Sequence, residues 1–119
     1  MHTYSFEKLE VWQLARKMVV SIYKLTALFP PEEKFGMISQ MRRASVSICS
    51  NIAEGSGRKT AKDQAAFYNT SYSSLLELLN QLIIAVDLGW LPAEQLIQIR
   101  REIEILSNKL NSLRNSRLQ

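Results

Sequence analysis

From Ala61 to Val86 the chain places small or apolar residues at alternating steps of four and three: Ala61, Ala65, Tyr68, Tyr72, Leu75, Leu79, Leu82 and Val86. A repeat averaging about three and a half residues keeps all of them on one face of an α-helix and scatters them over both faces of a strand. It is the spacing of helices packed side by side at a shallow left-handed angle. One long helix with a continuous apolar seam cannot be stable alone in water, so the rest of the chain must supply helices to cover it.

Three further segments meet that demand. Helix one is expected over about 9–28, with a seam at Leu9, Trp12, Ala15, Val19, Ile22 and Phe29, ended by Pro30-Pro31. Helix two is expected over about 34–55, with Ile38, Met41, Ser45, Ile48 and Ile52 inward and a wholly polar row at Gln40, Arg43, Ser47, Asn51 and Glu54. Helix three runs over about 61–88 and is stopped by Gly89; helix four, about 92–114, starts near Pro92 and carries Leu96, Ile99, Ile103, Leu106, Leu110 and Leu113. The end beyond, Arg114 to Arg117, is expected to fray. No strand pattern occurs and the connections are short, which predicts one all-α domain over 1–119, an antiparallel up-down-up-down four-helix bundle. Helix one presents apolar residues on more than one stripe, including Trp12 and Val11, Leu14 and Met18; Leu76, Leu78, Ile83, Ile97 and Ile105 add to the later seams, and this surplus predicts self-association.

The stretch Ile48 to Arg58 reads as a helix end: Asn51 and Glu54 precede Gly55-Ser56-Gly57, expected to leave the helix through a left-handed glycine. Thr60 then suits a helix cap, and Asp63 its first turn. Gly-Ser-Gly-Arg-Lys-Thr is not a nucleotide-binding loop, since the glycine spacing is wrong and a helix precedes it. Backbone amides flanked by Arg58, Lys59 and Lys62 could nevertheless hold a backbone phosphate.

Catalytic and metal chemistry lack their parts. A single cysteine, Cys49, on an apolar-rich helix reads as an inert buried thiol, and the lone histidine, His2, supplies neither a catalytic partner nor a set of metal ligands. Glu54 and Glu77, with Asn51, read as polar groups that fix helix register, Glu77 in an apolar setting. No enzyme activity, metal or cofactor is expected. The 15 Lys and Arg against 11 Asp and Glu give a net charge of +4, compatible with a nucleic-acid partner. Arg42-Arg43 and Arg100-Arg101 read either as partners of Glu32, Glu102 and Glu104 or, with Arg16, Lys17 and Lys24, as a basic stripe. No apolar run reaches the ~20 residues of a membrane span and no signal-peptide pattern opens the chain, so a cytoplasmic location is expected.

The order Phe6-Glu7-Lys8-Leu9-Glu10-Val11-Trp12, Ile22-Tyr23-Lys24-Leu25-Thr26, Gln40-Met41-Arg42-Arg43-Ala44, Ser50-Asn51-Ile52-Ala53-Glu54-Gly55 and Ser74-Leu75-Leu76-Glu77-Leu78 resembles the 23S rRNA intervening-sequence protein family over nearly the whole chain. The resemblance implies a four-helix bundle assembling as a homopentameric barrel. It also implies kinship with the accessory variability protein of diversity-generating retroelements, which binds a reverse transcriptase and nucleic acid. Carried over by motif, Arg42 and Arg43 become nucleic-acid contacts, and Asn51, Glu54 and Glu77 maintain the bundle. The expected function is that of a non-enzymatic, oligomeric nucleic-acid-binding accessory protein whose Arg42, Arg43, Arg58, Lys59 and Lys62 contact RNA or DNA phosphates. The alternative is a protein–protein scaffold for a reverse transcriptase.

Overall fold

The structure is a computed structural model and describes residues 1–119. A 3₁₀ turn at Ser5–Lys8 leads into α1 (Glu10–Thr26), and a second at Pro31–Glu33 leads into α2 (Met37–Ser56). Two long helices complete the chain, α3 (Ala61–Asp87) and α4 (Ala93–Arg117), and there are no strands. Consecutive helices pack as antiparallel neighbours in an elongated bundle of 43 × 30 × 21 Å, most closely α2 with α3 and then α3 with α4. α1 and α4 meet far less closely, so the bundle is open along that side.

The helix ends show why the chain turns where it does. Thr60 caps α3, its hydroxyl oxygen accepting the Asp63 amide at 3.1 Å. At the other end Gly89 takes φ 79°; its amide reaches the Val86 carbonyl at 3.0 Å and that of Trp90 reaches Ala85 at 2.9 Å. This is the Schellman arrangement, which needs a left-handed residue and so favours glycine. α2 ends differently from the sequence expectation. Gly57 closes it at φ −93°, in right-handed space, and Gly55 lies within the helix. What Gly55 provides is closeness: a Cβ there would sit 2.8 Å from Phe67 Cβ and 2.9 Å from Tyr68 Cε1 on α3. α1 stops at Thr26, earlier than expected, and Phe29 turns inward to meet Trp90 at 5.6 Å, closing the top of the core. α4, expected to fray after Leu113, stays helical to Arg117.

Two seams are buried as expected: Ile38, Met41, Ser45, Ile48 and Ile52 on α2, and Ile99, Ile103, Leu106 and Leu110 on α4. The other two are rotated. α3 buries Ser71, Leu75, Leu78, Leu82 and Ala85, leaving Tyr72, Leu79 and Val86 half-buried. It lies between two neighbours, and its covered face is centred between the directions of α2 and α4. On α1 the inward row is Val11, Ala15, Met18, Ile22 and Thr26. Thr26 can be fully buried because its hydroxyl donates to the Ile22 carbonyl at 2.7 Å. Val11, Met18 and Leu78 are therefore core residues and not surplus apolar surface. Leu76, Ile83, Ile97 and Ile105 do remain exposed.

Candidate nucleic-acid interface

Antiparallel connection brings the start of α1, the end of α2, the start of α3 and the end of α4 to one end of the bundle. Lys8, Arg58, Lys59, Lys62, Lys109, Arg114 and Arg117 gather there and outnumber Glu7, Glu10, Glu54 and Asp63. At the opposite end the balance reverses slightly, with Glu32, Glu33, Asp87 and Glu94 against Lys24, Lys34 and Arg42. The net charge of +4 is thus distributed along the long axis, with an acidic end and a basic remainder.

Little of the positive charge is neutralised within the fold. Arg58 lies 3.8 Å from Asp63, and Lys109 bridges α4 to Glu10 of α1 at 2.6 Å; these are the two ion pairs between side chains. Arg43, Arg100 and Arg101 make none with Glu32, Glu102 or Glu104, contrary to one of the two readings of the arginine pairs. Lys59 and Lys62 are exposed and unpaired beside the capped start of α3. Arg58 is folded down, its guanidinium 5.0 Å over the Phe67 ring. Arg114 donates to Asn69 Oδ1 at 2.9 Å, tying the end of α4 to α3. Sequence reasoning missed the clustering of Lys109, Arg114 and Arg117 with the α2–α3 loop, although cations in a last helical turn are the expected complement of the helix dipole.

The five candidate phosphate-binding residues form two groups. Arg58, Lys59 and Lys62 share the basic end, whereas Arg43 stands 15 residues back along α2, roughly 22 Å along the axis at 1.5 Å per residue. Arg42 is committed elsewhere. Its Nε donates to Thr26 Oγ1 at 3.0 Å, one Nη donates to the Tyr23 carbonyl at 3.3 Å, and the guanidinium lies 4.5 Å over the Tyr23 ring. The charge thus ties α2 to the last turn of α1, whose free carbonyls favour a cation. Replacing Arg42 by Gln should lower unfolding stability by about 1–2 kcal/mol, because it removes charge-assisted bonds to partly buried acceptors. Arg43→Gln should change it by less than about 0.5 kcal/mol. Urea melts of the two variants check the contrast.

Asn51 and Glu77 flank a polar seam between α2 and α3. Asn51 donates to the Ser47 carbonyl at 2.9 Å and hydroxyl at 3.1 Å, Ser47 and Ser74 share a hydrogen bond of 2.8 Å across the helices, and Gln81 donates to Glu77 at 3.1 Å. Glu77 is exposed, lining a shallow cleft with Arg43, so its apolar neighbours in sequence do not surround it in space. Glu54 is exposed on the last turn of α2 and makes no side-chain hydrogen bond.

Burial pushes the Cys49 thiol above its ordinary pKa, against the opposing pull of Arg16, which is the reverse of what activates a cysteine nucleophile. Burial likewise holds the Tyr68 phenol high despite nearby Arg117. No three His, Cys, Asp or Glu side chains converge as a metal site, and no helix is long and apolar enough to cross a membrane.

Against this geometry, comparison with known proteins decides the lineage. The family described as 23S rRNA-intervening sequence protein matches residues 7–112. The chain belongs to that family. A crystal structure from Bacteroides thetaiotaomicron, a protein of unknown function from the S23 ribosomal protein family, superposes with a TM-score of 0.81. It is 23% identical over 88% of this chain and 95% of its own, a likeness that shows the shared four-helix fold. No curated protein matches. Neither the family description nor the neighbour's names an enzymatic activity.

Proposed function

We propose that this member of the 23S rRNA-intervening sequence family is a non-enzymatic, self-associating accessory protein that binds RNA, or an RNA–protein complex, through its phosphates. The observation that carries the reading is the accumulation of Lys and Arg at one end of the bundle, where Lys59 and Lys62 are exposed and have no carboxylate partner. Unpaired surface cations release condensed counterions when they meet phosphates, which yields affinity without base readout. Self-association, as the pentamer implied by the family resemblance, would multiply a modest charge into a dense one. It finds support in the open side between α1 and α4, where Leu14, Met18 and Ile105, with Lys17, Ser21 and Glu102, line a pocket of about 310 Å³, and in exposed Leu76, Ile83 and Ile97.

Binding of a labelled structured RNA by the Lys59→Gln/Lys62→Gln double variant tests the reading. Removing one phosphate-binding cation should flatten the log–log salt dependence by about one unit, so the double variant should be flatter by about two. A slope equal to that of the parent protein would remove these lysines from the interface. Sedimentation of the same samples gives the oligomeric state, and a monomer at micromolar concentration would rule out the assembled form.

A further inference from the structure

The N-terminal segment doubles back over the outward face of α1 and leaves a cleft of about 620 Å³ lined by Thr3, Glu7, Trp12, Gln13, Arg16 and Lys17. This volume falls within the range of about 300–1,000 Å³ typical of ligand sites. Its wall is held in place: the Tyr4 amide donates to Glu7 Oε2 at 2.7 Å, and Gln13 Nε2 donates to the Glu7 carbonyl at 2.9 Å. The Glu7 carboxylate is thus engaged with the backbone, while Arg16 and Lys17 have no carboxylate partner.

A run of aromatic rings ends at Trp12, the one of them that lines the cleft. His2 meets Tyr4 edge-on at 4.6 Å, Tyr4 and Phe6 lie stacked at 6.4 Å, and Phe6 meets Trp12 at 5.0 Å. Tyr4 is 62% exposed, Trp12 is half-buried, and the Arg16 guanidinium sits 5.3 Å from the Trp12 ring centre. An exposed ring and a half-buried one, beside cations without carboxylate partners, match the two faces of an unpaired nucleotide, an aromatic base and an anionic phosphate. A duplex keeps its bases stacked inside and offers such rings nothing to stack upon. An acidic peptide would satisfy the cations but leave the rings without a partner.

We propose that this cleft binds unpaired nucleotides of single-stranded RNA, with a base stacking on Trp12 in the cleft, a neighbouring base on the exposed Tyr4 ring outside it, and phosphates held by Arg16 and Lys17. The proposal rests on the nucleic-acid reading above and adds a strand preference and a second binding site, on the side of α1.

Trp12 reports on it directly once Trp90, at the opposite end, is replaced by Phe. In the Trp90→Phe protein, a single-stranded 12-mer RNA should quench Trp12 fluorescence, and a blunt duplex of the same length should not. Adding Tyr4→Ala and Arg16→Gln should weaken single-strand binding by about tenfold or more, as removing a stacking partner and a cation does elsewhere. Duplex binding should be unchanged. Single-strand binding that leaves Trp12 emission constant and ignores both substitutions would overturn the cleft assignment while the general RNA reading stood. Failure of both RNAs to bind would overturn the two together. Tighter binding of poly-glutamate than of the 12-mer would overturn the choice of occupant.

Discussion

Leu78→Ala is expected to destabilise the protein by about 3–5 kcal/mol, whereas Leu76→Ala, two residues away, should cost less than about 1 kcal/mol. Leu78 is fully buried between neighbouring helices, and Leu76 on the same helix is 48% exposed. Truncating a core leucine forfeits its transfer free energy and leaves a cavity that close-packed surroundings refill only in part. An exposed leucine incurs neither cost. Chemical denaturation of both variants checks the pair, and equal costs would contradict the placement of α3. A change of this size is a large share of the stability of a small domain.

Gly55→Ala is expected to destabilise by about 2–3 kcal/mol, against the usual gain of nearly 1 kcal/mol when alanine replaces glycine inside a helix. The sign reverses because the new methyl would meet Phe67 Cβ at 2.8 Å, an atom fixed to the α3 backbone, and the buried Tyr68 ring at 2.9 Å. α2 and α3 would have to separate along their closest approach. Gly57→Ala is the matched control. Its nearest neighbouring atom would be 3.7 Å away and its φ is −93°, so it should be neutral or slightly stabilising. Thermal melts that show Gly55→Ala stabilised would refute the close-approach explanation.

These two positions also mark how far the sequence alone can be read. Helix number, order and approximate extent follow from periodicity, and the α2 and α4 seams are legible because each presents one dominant apolar row. α1 and α3 carry two overlapping rows, as Val11 beside Trp12 and Leu78 beside Leu79 illustrate. Which row is covered depends on the directions of the neighbours, which no single helix encodes. Gly55 is recognisable as special, but its reason lies in Phe67 and Tyr68 on another helix and not in local backbone geometry. For the candidate interface, the loop cluster Arg58, Lys59 and Lys62 is legible because it is contiguous. The role of Arg42 is not, since its partners Tyr23 and Thr26 are brought to it by the α1–α2 packing. The cleft beside Trp12 is equally hidden, because it exists only when residues before α1 fold back on that helix.

The central claim is that the unpaired cations meet phosphates, and the salt dependence of RNA binding by the unaltered protein tests it most directly. Titrating a labelled structured RNA with nuclease-treated protein at a series of salt concentrations should give a straight log–log plot. Each phosphate neutralised contributes about 0.7–0.9 to the slope, so about four or more such phosphates predict a slope of about −3 or steeper. A slope near zero, or no binding even at low salt, would contradict the account.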